Sequence, residues 1–389
     1  MYFSFVIIVY LMLESLQSLS LQYWTEYKKL IPTLSHFSHQ VSSQEVLERI
    51  QEVVGKVLSQ IFSGEKPSVS LVSPKESYQY DPETGINRLS NIKYKSISFG
   101  NLKKTRHFAR FLCLLESIHE NVSQGVKSTK RELYYKNPQL FKNQKNSDSI
   151  IEEIAALLQV PRNRLNVLSA GKGLVAGNLS FCENDTEVTV GNRVTKIPFE
   201  VDSLWNFQTE AEFVLVLEKD TVLTRLVEEG YFQGKVIGVT GCGYPDLATR
   251  EFVRRIVEER SWLPVFVVCD FDPHGVNILC TYAFGSASKS GECDSLALPF
   301  AHWLGVHFTD TVSSPLPLTT PDVKLLNKLV SLPQFSYPPT NYQNRRFAQW
   351  KQNFEKMLEL HCKYEIESVL VSQRLSDFIT DKVTKGAWI

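Results

Sequence analysis

The chain has 389 residues, of which 43% are hydrophobic and 22% charged, and its 42 basic side chains balance 42 acidic ones. That length exceeds one ordinary core and predicts two domains plus an extension of a soluble globular protein, while a net charge of zero gives no overall electrostatic footprint for nucleic acid. Cys113, Cys182, Cys242, Cys269, Cys280, Cys293 and Cys362 form no C-x-x-C pair and leave one over, which argues for reduced thiols in a cytosolic or nuclear setting and against structural zinc.

In chain order, the apolar run Met1 to Leu13 lacks a basic flank and a small-x-small cleavage pattern, and it is too short to span a bilayer. It reads as an atypical N-terminus, with Met12 as an alternative start. Apolar residues at 46, 47, 50, 53, 54, 57, 58 and 61 follow a 3.6-residue period and predict one amphipathic helix over 44–61, which either packs on the chain's own core or offers a handle to a partner. Residues 63–92, rich in Ser, Pro, Gly and Asn, predict a linker closing an N-terminal extension over 1–92.

From Lys93 to Lys145 there are twelve Lys and Arg against three Glu, so the neutral total hides a basic section of the kind that meets phosphates. Helices are predicted over 104–119, 129–136 and 148–159, the middle one announced by the capping-box spacing of Thr129 and Glu132 and ended by Pro138. This middle helix carries Arg131, Tyr134 and Tyr135. Read alone, the two tyrosines are half-buried aromatics or a reactive phenol. A free phenol, with a pKa of about 10, needs cations or a metal to favour the phenolate, and Lys130, Arg131 and Lys136 are the candidates nearby. Val160 to Val167 predicts a turn into another helix, and Gly171 to Gly177 with 178–198 a β-hairpin or wing. Helix-turn-helix plus wing outlines a winged-helix DNA-binding module over 93–198, with Lys130, Arg162, Arg164 and Lys172 as expected DNA contacts.

After Glu200 the pattern changes. Residues 212–217, 235–240 and 264–269 are short continuous apolar runs with helical stretches (221–229 and 245–259) between them, the signature of buried parallel strands in an α/β domain over 199–389. In such sheets sites form at the carboxyl ends of the strands. Glu218, Asp270 and Asp272 stand there, and three carboxylates in one small volume need a cation. Mg²⁺ suits them, since it accepts a few carboxylates and keeps water or phosphate oxygens.

Glu218, Asp270-x-Asp272 and Gly241-x-Gly243-Tyr-Pro-Asp-x-Ala-Thr-Arg250 resemble the Toprim domain of type IIB topoisomerase (topoisomerase VI) A subunits, and Arg131-Glu-Leu-Tyr-Tyr135 is similar to the tyrosine motif of that family's winged-helix domain. Ser169 to Leu179, Trp303-Leu-Gly305, Leu318-Thr-x-x-Asp322, Lys363-x-Glu-Ile-Glu367 and Trp388-Ile389 extend the resemblance over roughly 100–389, and the eukaryotic branch that makes meiotic DNA double-strand breaks fits best. The resemblance implies Tyr135 as nucleophile, Arg131 near the scissile phosphate, Glu218, Asp270 and Asp272 as Mg²⁺ ligands, and Lys172 on double-stranded DNA. It also implies a homodimer on DNA in which one protomer's tyrosine works with the other's metal site, a B-type (GHKL ATPase-like) subunit docking on the 44–61 helix, accessory meiotic proteins, a nuclear location on chromosomes and no membrane. Alternatives are a topoisomerase VI A subunit that relaxes DNA, and a non-catalytic DNA-binding scaffold of the same fold. Cys242 departs from the family pattern, which usually has lysine there. No G-x-x-x-x-G-K-[ST] nucleotide loop is present.

Overall fold

A computed structural model of the chain describes residues 2–30, 41–73, 77–89, 93–100, 102–160, 162–168, 171–285, 296–310, 315–338, 341–371 and 373–389. Met1, Pro161, Ser169, Ala170 and Cys293, each touched by an expectation above, lie outside the described residues. Two hydrophobic cores organise the rest.

The larger core is built on a seven-stranded sheet. Strands His302–Gly305, Val265–Val268, Phe213–Leu217 and Val236–Thr240 run parallel, in that spatial order. The three central ones are buried along their whole length, which is why they read as unbroken apolar runs rather than alternating ones. Pairing Leu217 with both Thr240 and Val268 puts the carboxyl ends of these strands side by side, so that Glu218, Gly241 and Asp270 emerge at one rim. The outer strand is closed by the chain terminus: Ile389 exchanges both backbone hydrogen bonds with Trp303, at 2.6 and 3.0 Å, and covers an edge that would otherwise be open.

The other side of the sheet corrects the expected wing. The hairpin Leu174–Glu183 and Thr186–Lys196 forms as anticipated, but its first strand pairs antiparallel with Val236–Thr240 and so extends the large sheet. Gly177 permits this approach: its φ is +117°, and a Cβ there would sit 2.1 Å from the carbonyl oxygen of Val236. The turn into another helix after Val160 is also replaced. A single 3₁₀ turn, Arg162–Leu165, leads to Val167–Leu168, which pairs with Ser128–Thr129 ahead of the tyrosine helix.

The smaller core gathers helices Ser43–Phe62, Leu102–Gln124, Lys130–Lys136 and Gln144–Leu158 around Phe108, Phe111, Leu133, Ile151 and Ile154. The expected linker over 63–92 is instead partly sheet. Ser68–Val72 pairs with Tyr94–Ser98 and places Val69, Leu71 and Ile97 in the small core, while Tyr78–Asp81 and Ile86–Leu89 form a hairpin that puts Ile86 in the large one. Ser68, Ser70 and Asn87 lie within these short strands and residues 82–85 make the hairpin turn, a pattern that composition alone cannot separate from a loop.

The apolar N-terminus is a structural element. Tyr2–Leu30 is one helix whose Leu13, Leu16 and Trp24 are buried in the large core, and the Arg254 guanidinium lies 4.4 Å from the Trp24 ring centroid. The side chain of Met12 lies against Gly386. Among the described residues no helix is long and apolar enough to cross a membrane, and the six described cysteines are all free thiols.

Candidate active site

Two places carry chemistry, one on each core. The helix Lys130–Lys136 begins with a complete capping box: the Glu132 backbone N–H donates to Thr129 Oγ1 at 3.1 Å, and the Thr129 N–H donates to Glu132 Oε2 at 2.6 Å. This fixed start decides what each following residue faces. Leu133 enters the core, Tyr134 is half-buried against it, and Tyr135, 58% exposed, points to solvent. Arg131 stands four residues before Tyr135 and therefore on the same face, its guanidinium carbon 5.7 Å from the phenol ring centroid. The two tyrosine rings lie 5.1 Å apart, so Tyr134 buttresses Tyr135 from the core side.

The second place is the rim of the large sheet. Glu218 is held by its backbone on both sides, its N–H donating to Val268 and its carbonyl accepting from Gly243 at 2.7 Å and from the Thr240 hydroxyl at 3.1 Å. Its carboxylate Oε2 accepts the Asp270 N–H at 2.9 Å. Asp270, almost fully buried, accepts the Ile366 N–H at 2.9 Å on Oδ1 and meets Lys219 Nζ at 2.9 Å on Oδ2. Asp272 caps the helix Pro273–Phe284, its Oδ1 accepting from the Gly275 N–H at 2.6 Å. Gly275 cannot be larger: a Cβ would lie 2.4 Å from the Asp270 carbonyl oxygen and 3.0 Å from Glu218 Oε2. The Asp-Pro-His-Gly sequence is thus the spacing that lets a helix start directly beneath the acids.

Crowding shows in the protonation of these acids. Burial, reinforced by the charge of Asp270, pushes the Glu218 carboxyl up to about 7. Burial likewise raises Asp270 to about 6, against the opposing pull of Lys219. Both folded values lie above the unfolded ones, about 4 for either carboxyl, so folding favours the protonated forms. Their contribution to stability is fully present below pH ~4 and is lost as pH rises through 6 and 7. Thermal melts in EDTA are expected to fall across this window, and Glu218→Gln is expected to flatten the fall. An unchanged slope in that variant would mean that other groups set it.

The structure separates the expected DNA contacts. Lys172 is exposed on the loop next to this rim, its Nζ donating to the Cys242 carbonyl at 2.8 Å, while the Cys242 thiol donates back to the Lys172 carbonyl at 3.1 Å. Arg162, by contrast, is 2% exposed and pairs with Glu152 at 3.1 Å, so it is a core residue and does not face a duplex. Lys130 also pairs with Glu152, and Arg164 with Asp202 at 3.6 Å. These two serve intramolecular pairs. Helical and turn periodicity could not foresee this, because the carboxylate that Arg162 and Lys130 share lies on another helix.

Several residues at the rim were passed over in the sequence. Lys219 bridges Asp270 to Glu367 at 2.9 Å and to Glu365 at 3.8 Å. The Tyr244 hydroxyl, its pKa raised chiefly by burial, accepts from Asn277 at 2.8 Å and pairs with His274 Nδ1 at 3.0 Å, which assigns His274 to positioning the loop. Lys219 directly follows Glu218, and Tyr244 lies within the Gly241 to Arg250 motif without a role of its own there; those positions are the signal a sequence offers for them.

Comparison with known proteins identifies the class to which this geometry belongs. Residues 213–383 match the family model for the Toprim domain of topoisomerase 6 A subunits and Spo11, and residues 106–167 match the one described as type IIB DNA topoisomerase. Meiotic recombination protein SPO11 of Mus musculus is 32% identical over 364 residues, covering 90% of this chain and 89% of its own. Meiotic recombination protein SPO11-1 of Arabidopsis thaliana is 33% identical over 342 residues, 85% of this chain and 91% of its own. The A subunit of DNA topoisomerase 6 from the same plant is 33% identical over 297 residues, 72% and 67% respectively. The chain belongs to the family of topoisomerase 6 A subunits and Spo11 proteins, and within it to the meiotic Spo11 branch.

Proposed function

We propose that this protein is a DNA-cleaving transesterase that makes the double-strand breaks initiating meiotic recombination. The observation that carries this reading is the pairing, in one chain of this family, of a solvent-facing Tyr135 under the Arg131 guanidinium with a rim on the large sheet where the buried Asp270 stands beside the half-buried Glu218 and Asp272. The Tyr135 phenolic oxygen attacks a backbone phosphorus in line. An oxygen–phosphorus bond forms, the bond from phosphorus to the 3′ oxygen breaks, and the phenolic proton is released while the departing oxygen takes one up. The protein is left joined to a 5′ phosphate. Arg131, whose planar donors suit two phosphoryl oxygens at once, steadies the charge that develops there.

Glu218, Asp270 and Asp272 are the residues that would hold Mg²⁺. Their oxygen-only chemistry fits, as does the burial that, with neighbouring carboxylate charge, raises the carboxyls of Glu218 to about 7 and Asp270 to about 6. Among the described residues no three His, Cys, Asp or Glu side chains are grouped as a metal cage, so Mg²⁺ here would need water or phosphate oxygens as further ligands. When bound, Mg²⁺ supplies Lewis-acid stabilisation of charge on phosphoryl and leaving oxygens.

The small core, with its helices and the Ser68–Val72/Tyr94–Ser98 ribbon, is what we read as the winged-helix DNA-binding domain, and Lys172 as a DNA contact at the acidic rim. Cutting two strands needs two tyrosines, hence a homodimer on DNA in the nucleus, with the tyrosine of one protomer working at the acids of the other. Docking of an ATPase-bearing B-type subunit falls to the helix Ser43–Phe62. Its Val46, Ile50 and Val57 are buried, whereas Val54, Leu58, Ile61 and Phe62 form a second apolar stripe open to solvent. Similarity to the A subunit of a plant topoisomerase 6 supports relaxation of DNA as the alternative activity. Purification with an ATPase partner and assay on supercoiled plasmid separate the two, and mass spectrometry of the adduct is expected to place the DNA phosphate on Tyr135. A phosphate on any other residue would refute the mechanism.

A further inference from the structure

We propose that Lys219 is a resident cation of the acidic rim, seated on Asp270 when no divalent ion is bound and moving onto Glu367 and Glu365 when one is. The proposal rests on the reading of Glu218, Asp270 and Asp272 as a divalent-cation site. Lys219 Nζ lies 2.9 Å from Asp270 Oδ2, 2.9 Å from Glu367 Oε2 and 3.8 Å from Glu365 Oε2. Of these carboxylates Asp270 is buried, whereas those of Glu365 and Glu367 are more than half exposed. The ammonium therefore neutralises one acid that lacks water and holds two that do not need it.

An ammonium and a divalent ion cannot share one carboxylate oxygen closely, because a metal at about 2.0–2.1 Å from that oxygen would face a like charge next to it. Lysine suits a movable role: it is a point charge on a flexible stem, whereas a planar guanidinium would be fixed by geometry. The segment that offers the second seat is itself anchored to the metal-binding loop. The Ile366 N–H donates to Asp270 Oδ1 at 2.9 Å, and the Tyr364 N–H donates to the Phe271 carbonyl at 3.0 Å. Glu365 and Glu367 are thereby held within reach of Lys219, and the ammonium keeps a carboxylate partner at either seat. In this arrangement Lys219 holds the rim together before metal arrives and lowers the affinity of the metal that replaces it.

The test is Mn²⁺ titration of the full-length protein by calorimetry, together with thermal melts in EDTA. Lys219→Met is expected to tighten Mn²⁺ binding by on the order of tenfold, since a unit charge beside the ion is removed. The double variant Glu365→Gln, Glu367→Gln is expected to weaken it, because the displaced ammonium has lost its second seat. In EDTA, Lys219→Met should melt below the wild type, and the gap should close on adding Mn²⁺. If Lys219→Met does not fold, the glutamine variant alone decides: unchanged or tighter binding overturns the proposal, as does unchanged or weaker binding in a folded Lys219→Met. Asp270→Asn separates the two levels. Should the wild type bind no Mn²⁺, or Asp270→Asn bind it equally well, the metal reading falls and takes this inference with it. If Asp270→Asn loses binding while neither the lysine nor the glutamate change affects it, only the role of Lys219 falls.

Discussion

Tyr135→Phe is expected to abolish covalent protein–DNA adducts while leaving the protein folded and able to bind DNA, and Tyr134→Phe is expected to retain adduct formation. The two side chains have the same chemistry and adjoin one another, so the contrast isolates position. Tyr135 stands out from the helix with Arg131 against its ring, and loss of its exposed hydroxyl should cost no more than about 0.5 kcal/mol of stability. Tyr134 is half-buried against the small core, its ring packed 5.1 Å from that of Tyr135. Adducts are trapped by denaturing the reaction and are read as DNA retained on the protein after nuclease digestion. Adducts that persist in the Tyr135→Phe protein would show that another residue attacks.

Glu218→Gln and Asp270→Asn should each lower divalent-dependent cleavage by on the order of 10²–10³-fold without unfolding the protein. Most of the hydrogen-bonding frame survives: a glutamine at position 218 can still accept the N–H of residue 270, and an asparagine at position 270 the Ile366 N–H, each through its amide oxygen, while the second change gives up the Lys219 contact and leaves that ammonium on Glu367. What disappears at position 218 is a half-buried charge beside the charge of Asp270. In the metal-free protein at pH 8, Glu218→Gln should melt at or above the wild-type temperature, because the crowded acids then repel less. Circular dichroism melts beside the cleavage assay settle which role the carboxylates have. Loss of the folded signal in both variants would make the cluster a structural element of the sheet.

Much of the site was legible in the residues because each part is local. The capping box of Thr129 and Glu132, the apolar runs of the central strands, and the acids that follow them are spaced along the chain by the geometry of one helix or one strand. Tyr135 and Arg131 share a face because four residues make about one helical turn. Other assignments failed where the deciding partner was distant. Arg162 read as basic surface and is instead buried against Glu152, a carboxylate it shares with Lys130. The hairpin after Gly173 read as a wing and instead completes the large sheet through Gly177.

From residues alone came the family and three buried parallel strands of the large sheet with the helices between them, since these follow from unbroken apolar runs, the 3.6-residue period and motifs a few residues long. The tertiary structure was needed to see that the N-terminal helix enters the large core through Leu13, Leu16 and Trp24, that residues 63–92 supply strands to both cores, and that Lys219, seated on Asp270, also meets Glu367, 148 positions from it in sequence. The physical reason is the same in each case. Burial and ion pairing are properties of what a side chain meets, and for these residues the partner lies far along the chain, where local pattern carries no information about it.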